Sequence, residues 1–417
     1  MDQRVFAVVG ASLAGGKAVE TLRGEGFEGR IVLVGEELDL PYERPPLSKG
    51  YLLGKEPRDR AFVHDEKWYA EQRVELLLGT RATALDPAGH LVELDGGQAL
   101  HYDKLLLATG SRPRTLDIPG GELRQVHYLR RIEQSDALRT AFAAAGPVVV
   151  LGAGWIGLET AAAARSYGAA VTVVETDLLP LRRVLGDEVA TLFRDLHVAH
   201  GVDFRFGTGV REFGSVGDRL TDAVLDDGTE VAAETAVIGV GIQPNVELAA
   251  EAGLAVDNGV VTDSALRTSD PDIYACGDVA STHNPLVGDM LRVEHWANAL
   301  NGGPAAARSM LGQEVVYDRV PYFYSDQYDL GMEYAGWVPP HAYDEVVFRG
   351  DPSIVDGKAP ETVVFWLRGG RVLAGMNVNV WDVQDDIQRL VRAGYAGRRV
   401  DAAGLADPTV PLDSVVS

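Results

Sequence analysis

Two glycine-rich turns carry the chemistry most readily read from this chain. The first is Val8-Val9-Gly10-Ala11-Ser12-Leu13-Ala14-Gly15. The second is Val149-Val150-Leu151-Gly152-Ala153-Gly154-Trp155-Ile156-Gly157, and its first glycine follows that of the first turn by 142 residues. Each turn stands between an apolar run and a helical pattern. There, backbone N–H groups and the positive end of a helix dipole can meet a pyrophosphate. A chain with two such turns holds two dinucleotides at once, which points to electron traffic between cofactors. The second turn matches G-x-G-x-x-G in full at Gly152, Gly154 and Gly157, and Glu175 closes the following strand. An acid there accepts hydrogen bonds from an adenosine ribose diol and repels a 2′-phosphate, so NADH is favoured over NADPH. Arg182 and Arg183 follow closely and, as phosphate-binding cations, weaken that preference. In the first turn serine replaces the middle glycine, giving Gly10, Ser12 and Gly15, with Glu36 as the ribose acid.

Other residues admit two readings from their own pattern. Asp278 in Cys276-Gly277-Asp278 follows a short apolar run; it suits either a helix cap or an acceptor for a flavin ribityl hydroxyl. Cys276 is the one cysteine of the chain. It reads as a small buried residue, and it excludes an internal disulfide and a redox-active cysteine pair. Lys49 and Arg44, set among Pro41, Pro45 and Pro46, are not distinguished by pattern alone from solvated surface charges. Trp296, Trp381, the run Tyr322-Phe323-Tyr324 and His295 read by default as packing residues. No cluster has metal-ligand spacing, and neither a nucleophile elbow nor a P-loop is present.

The elements that position these residues follow from the apolar runs. Residues 4–9, a helix over about 13–24 and a strand over 30–34 make a β-turn-α-β unit. Gly146-Pro147 introduces a second such unit: strand 148–151, helix about 155–167 and strand 170–174. The segment Pro41 to Lys49 is expected as a rigid loop that becomes helical only after Pro46. Buried strands are expected at 105–108, 236–240 and 273–276. From about Val320 the chain turns aromatic-rich and strand-like, with a hairpin around Arg368 to Arg371. The fold class expected is α/β, with two Rossmann-like dinucleotide-binding domains and a C-terminal α+β domain; the motif resemblance given below implies that they follow the glutathione reductase type. The expected boundaries are 1–109 with 236–318 for FAD, 110–235 for NAD, and 319–417 for the C-terminal domain.

A chain of 417 residues exceeds one core. The net charge of −23 argues against nucleic-acid binding and favours solubility. No signal peptide and no uninterrupted apolar span of bilayer length is evident, so the expectation is a cytoplasmic protein with no membrane partner, as monomer or homodimer.

The ordered set of motifs resembles the FAD-dependent NADH:ferredoxin reductases of bacterial oxygenase systems over nearly the whole length. It comprises Gly10-Ala-Ser-Leu-Ala-Gly15, Pro41-Tyr-Glu-Arg-Pro-Pro-Leu-Ser-Lys49, Ala108-Thr-Gly-Ser-Arg-Pro113 and Gly152-Ala-Gly-Trp-Ile-Gly-Leu-Glu159. It continues with Val240-Gly-Ile-Gln-Pro-Asn245, Tyr274-Ala-Cys-Gly-Asp278, Arg292-Val-Glu-His-Trp-Ala-Asn298 and Pro321-Tyr-Phe-Tyr-Ser-Asp-Gln-Tyr328. The combination of Arg-Pro-Pro-Leu-Ser-Lys with Ser-Asp-Gln-Tyr is specific to this group. The resemblance implies FAD contacts from Gly10, Ser12, Ala14, Gly15, Glu36, Arg44, Pro45, Lys49, Ala82, Thr109, Gly110, Arg130, Asp278, Glu294, His295 and Trp296. It implies a nicotinamide site of Gly152, Gly154, Ile156, Gly157, Glu159, Glu175, Arg183 and Gly241. Lys49, near the flavin ring, and Glu159, near the nicotinamide, are the implied catalytic residues. No metal is implied. Two departures stand out: Ser12 replaces a glycine common in the group, and Tyr324 stands where relatives carry tryptophan.

By this resemblance NADH reduces FAD, and with no cysteine pair the electrons leave singly from the flavin to a [2Fe-2S]-type ferredoxin that serves an oxygenase. Docking an acidic carrier on a negative body calls for a local basic patch, for which Arg308, Arg389, Arg392, Arg398 and Arg399 are the candidates. The alternatives are a rubredoxin or monodehydroascorbate-type reductase of the same fold, and a redox-sensing flavoprotein of the apoptosis-inducing-factor type.

Overall fold

The computed structural model describes residues 2–416. The chain forms two compact units. One is built from the chain up to Glu43, from Arg58–Arg112 and from Gln243–Pro321; the other from Arg44–Pro57, Pro113–Ile242 and the chain from Tyr322 onward.

The first unit is organised on a five-stranded parallel sheet. Its order is Ile273–Ala275, Lys104–Leu107, Val5–Val9, Arg30–Gly35, Val74–Leu78. Continuous apolar sequences such as VFAVV and RIVLVG suit strands covered on both faces. The register sets Val9 opposite both Val34 and Leu107. The first glycine turn therefore leaves the sheet between two neighbouring strand ends, where the strand order reverses and doubly wound sheets bind ligands. The helix Leu13–Gly24 packs on the helix Trp296–Met310. A Cβ on Gly303 would collide with the carbonyl oxygen of Ala14, so this glycine brings the two helix backbones together.

The second unit holds another parallel sheet, ordered Val202–Phe206, Val171–Glu175, Val148–Leu151, Thr235–Ile238, Val126–Tyr128. It also holds a five-stranded antiparallel sheet ordered Tyr322–Gln327, Leu330–Gly336, Arg371–Val378, Thr362–Arg368, Glu345–Arg349. The helix Gln384–Tyr395 covers this sheet through Ile387, Leu390 and Val391, which are fully buried. The hairpin expected around Arg368–Arg371 is present. Trp366, also fully buried, donates its indole N–H to the Leu185 carbonyl at 2.9 Å.

Two local expectations change. A 3-10 turn begins at Pro45 itself and runs to Ser48, because proline is tolerated in a first turn where no N–H is needed. Asp278 lies in a 3-10 turn, Gly277–Val279, that leads into the strand Ala280–Asn284, so it does not cap an α-helix. Among the described residues no helix is long and apolar enough to cross a membrane.

Candidate functional site

The first glycine turn is shaped by steric constraints at two glycines. Gly10 has φ +121°, and a Cβ there would collide with the Ala108 carbonyl. A Cβ on Gly15 would collide with the Gly10 carbonyl, so this glycine seats the helix against the turn. Ser12, at the middle position, is the extended N-cap residue of the helix and makes no side-chain cap bond. Its hydroxyl is thus not spent on the helix, and serine is accommodated where glycine was expected. Ala14 is buried beside Gly277, whose Cβ position lies 3.4 Å from the Ala14 Cβ.

Around that turn the same unit gathers several of the predicted residues. Asp278 is nearly buried and accepts a hydrogen bond from Ser111 Oγ at 2.8 Å. Thr109 donates to the Asn245 carbonyl at 2.9 Å, and its own carbonyl accepts from Asn245 Nδ2 at 2.8 Å. Gly110, with φ +65°, accepts from the Asn245 N–H. Trp296 donates its indole N–H to Glu43 at 2.8 Å, and Glu294 pairs with Arg292. His295 is buried at the N-cap of the helix Trp296–Met310, and burial pulls its pKa down to about 4 against the opposing charge of Asp278. Ala82 lies at the bulge of a small antiparallel sheet, and Glu36 is exposed at the end of its strand.

The second turn repeats the steric logic in the other unit. Gly152 has φ +92° and its Cβ would lie 2.5 Å from the Gly239 carbonyl oxygen; a Cβ on Gly157 would collide with the Gly152 carbonyl. Gly154 differs: a Cβ there would meet nothing within 4 Å. The open side of the turn is the side a ligand backbone would approach, so the donor set fits a pyrophosphate. Glu175 accepts from the Ala153 N–H at 2.7 Å and from the Asp177 N–H at 2.9 Å. Ile156 is exposed in the first helical turn, and Gly241, at φ +103°, lies beside Arg114.

The two acids are not equivalent in register. Gly10 N–H bonds Val34 O as Gly152 N–H bonds Val174 O, so Gly35, not Glu36, is the counterpart of Glu175. Gly35 is required because a Cβ there would collide with the Ala11 side chain. The acid of the first turn, Glu36, stands one residue later.

The arginines after Glu175 are committed to acids. Asp177 lies 3.1 Å from Arg182 Nη1 and 3.6 Å from Arg183 Nε, and Arg182 also reaches Asp187 at 2.5 Å. The nominated docking arginines divide between the units, and Arg308 is paired with Glu25 and Arg389 with Asp386.

The most buried polar cluster of the second unit is centred on Glu159. Its Oε1 accepts from Lys49 Nζ at 2.7 Å and from Ser325 Oγ at 2.7 Å, while Oε2 accepts from Ser48 Oγ at 2.5 Å. The Lys49 ammonium also lies 5.3 Å from the centre of the Tyr324 ring. Burial raises the pKa of neighbouring Asp326, and the charge of Lys49 opposes the rise. Arg44 donates to the Arg130 carbonyl, which joins the turn at Pro45 to the segment before the helix Ile132–Ala143. Ser48 and Ser325 were not nominated from the sequence as site residues. Their signal was their place in the two group-specific motifs, Leu-Ser-Lys and Ser-Asp-Gln-Tyr.

Comparison with known proteins accords with this geometry. The family described as pyridine nucleotide-disulphide oxidoreductase matches residues 5–303, and the reductase C-terminal family matches residues 322–416. The chain is 41% identical over 413 residues to the ferredoxin–NAD(+) reductase component of the anthranilate 1,2-dioxygenase system of Burkholderia cepacia, covering 99% of each. It is 39% identical to putidaredoxin reductase of Pseudomonas putida, over 98% of this chain and 96% of that one. Its fold superposes on the reductase in a covalent putidaredoxin reductase–putidaredoxin complex with a TM-score of 0.92, at 36% identity over 99% of this chain and 98% of that chain. The chain belongs to the pyridine nucleotide-disulphide oxidoreductase family, among the ferredoxin–NAD(+) reductases of oxygenase systems.

Proposed function

We propose that this protein takes electrons from NADH onto FAD and hands them singly to an iron–sulfur ferredoxin that serves an oxygenase. The observation that carries the reading beyond family membership is the state of Cys276. This sole cysteine is buried, and burial pushes its thiol up to about 12, so a thiolate relay is not available for the electrons. They must pass from the flavin to the carrier directly.

Bound FAD supplies the chemistry of accepting a hydride and releasing electrons one at a time. The chain supplies binding and charge. In the first unit the helix N-terminus at Ser12 to Gly15 faces the pyrophosphate, Glu36 takes the adenosine ribose, and Asp278, anchored by Ser111, accepts from a ribityl hydroxyl. Ala82, Thr109, Gly110, Glu294, His295 and Trp296 complete that assignment, and the motif resemblance adds Arg44, Pro45, Lys49 and Arg130. Gly154, whose outer side is open, would take NADH together with Ile156, Gly157, Glu175, Arg183 and Gly241. Glu159, fixed by three donors, is the residue this reading sets near the nicotinamide, where its carboxylate would favour the positive charge that grows on that ring as hydride leaves. This reading assigns the work to the cytoplasm.

The test is NADH-driven cytochrome c reduction with and without added ferredoxin. Rapid turnover that requires the ferredoxin is the expected result. Slow turnover with a long-lived NADH–flavin charge-transfer band would instead indicate a sensor. Charge reversal at Arg308, Arg389, Arg392, Arg398 and Arg399 should raise the KM for ferredoxin and leave ferricyanide reduction unchanged.

A further inference from the structure

We propose that Ser325, Gln327, His197 and Tyr328 form a one-directional hydrogen-bond rail that fixes the Glu159 carboxylate, with His197 as its far positioning residue. The inference rests on the reading of Glu159 as the nicotinamide contact and explains what the Ser-Asp-Gln-Tyr motif does.

The rail begins at Glu159 Oε1, which lies 2.7 Å from Ser325 Oγ. The same oxygen accepts from the Lys49 ammonium at 2.7 Å, and a carboxylate paired in this way accepts, so Ser325 donates its proton there. Ser325 Oγ can then only accept from its other neighbour, Gln327 Nε2, at 3.0 Å. That fixes the amide orientation and aims Gln327 Oε1 at His197 Nε2, 2.8 Å away. His197 is thereby assigned as the Nε2–H tautomer, which leaves Nδ1 to accept from the Tyr328 hydroxyl at 3.3 Å. Every donor points towards Glu159. Ser325, Gln327 and His197 are essentially inaccessible to solvent, so no water competes for these bonds.

Two further features support the assignment. Burial holds His197 neutral, with its pKa pulled down to about 4, and the rail requires a neutral ring. Tyr328 occupies the two-residue turn between Tyr322–Gln327 and Leu330–Gly336 with φ +58°. That turn position favours glycine or asparagine, and a bulky residue there is strained. The tyrosine is held there by its bond to His197 and by stacking on His200, with ring centres 3.7 Å apart.

The experiment compares His197→Phe, His197→Gln and Ser325→Ala holoenzymes with the unmodified protein. Two half-reactions are followed by stopped flow: bleaching of the flavin by saturating NADH, and oxidation of the dithionite-reduced enzyme by ferredoxin. His197→Phe and Ser325→Ala should slow the NADH step about tenfold, the scale of one hydrogen bond to a charged group. The ferredoxin step and the FAD content should stay unchanged. His197→Gln, which keeps a donor near the Nε2 position, should return the NADH step to within about threefold of the unmodified rate. An unchanged NADH step in Ser325→Ala, or equal loss in both half-reactions, overturns the rail. Failure of NADH to bleach the unmodified flavin, or an unimpaired Glu159→Gln enzyme, would instead overturn the functional reading beneath it.

Discussion

Lys49 Nζ lies 2.7 Å from Glu159 Oε1, with the two side chains 13% and 3% exposed. One sits just past the 3-10 turn Pro45–Ser48, the other on the helix that opens from the second glycine turn. A pair so far removed from water tolerates loss of one partner poorly, because the other charge is then buried without compensation. Lys49→Met and Glu159→Gln should each lower stability by about 3–5 kcal/mol. The double variant Lys49→Met/Glu159→Gln should regain much of that loss. Urea denaturation of the holoenzymes measures it, and equal, additive losses would show that the two charges do not depend on one another.

The three glycines of the second turn have different duties, so alanine separates them. At Gly157 the new methyl group collides with the Gly152 carbonyl, and the variant is expected to lose its folded second sheet or most of its stability. At Gly154 the methyl group meets open space. Gly154→Ala should therefore melt within a few degrees of the unmodified protein while its KM for NADH rises about tenfold, since only the approach of the pyrophosphate is obstructed.

Selectivity against NADPH should depend on Asp177 as well as Glu175. Asp177 holds Arg182 and Arg183, the two cations nearest the ribose acid in sequence. Asp177→Asn releases Arg183 to a 2′-phosphate, while Arg182 keeps its pair with Asp187. The variant should use NADPH with kcat/KM about tenfold higher and change little with NADH. An unaltered NADPH:NADH ratio would leave selectivity to Glu175 alone.

Stability should fall in acid through the buried histidines. Burial pulls both His197 and His295 down to about 4 from an ordinary value of 6.5. Between those values the unfolded chain binds protons that the folded chain refuses, so unfolding is favoured as pH falls. Their contribution is intact above pH 6.5 and lost progressively towards pH 4, on the order of 3 kcal/mol for each residue. The urea midpoint should drop steadily from about pH 7 to about pH 5, and His197→Gln should flatten part of that slope.

The register difference between the acids shows where sequence reading stops. Glu36 and Glu175 look alike in the text, each closing a strand after a glycine turn. The hydrogen bonds of Gly10 and Gly152 show that Gly35 occupies the place of Glu175. Gly35 packs against Ala11 at that place, and such a one-residue difference in register has no signature in a linear spacing.

What the amino-acid order determined by itself was local: turns with positive φ, helices that open at them, and apolar runs that become buried parallel strands. These depend on sterics and periodicity within a few residues, so they are legible without a partner. Lys49 and Glu159 were reached through the motif resemblance, not through their own spacing. The rail from Tyr328 to Glu159 was invisible, since a histidine on an amphipathic helix reads as packing, and the bonds of the rail join His197 to Gln327 across 130 residues and Glu159 to Ser325 across 166. Only the tertiary structure removes water from those side chains. With water gone, each donor has one acceptor left, and the direction of every bond is decided.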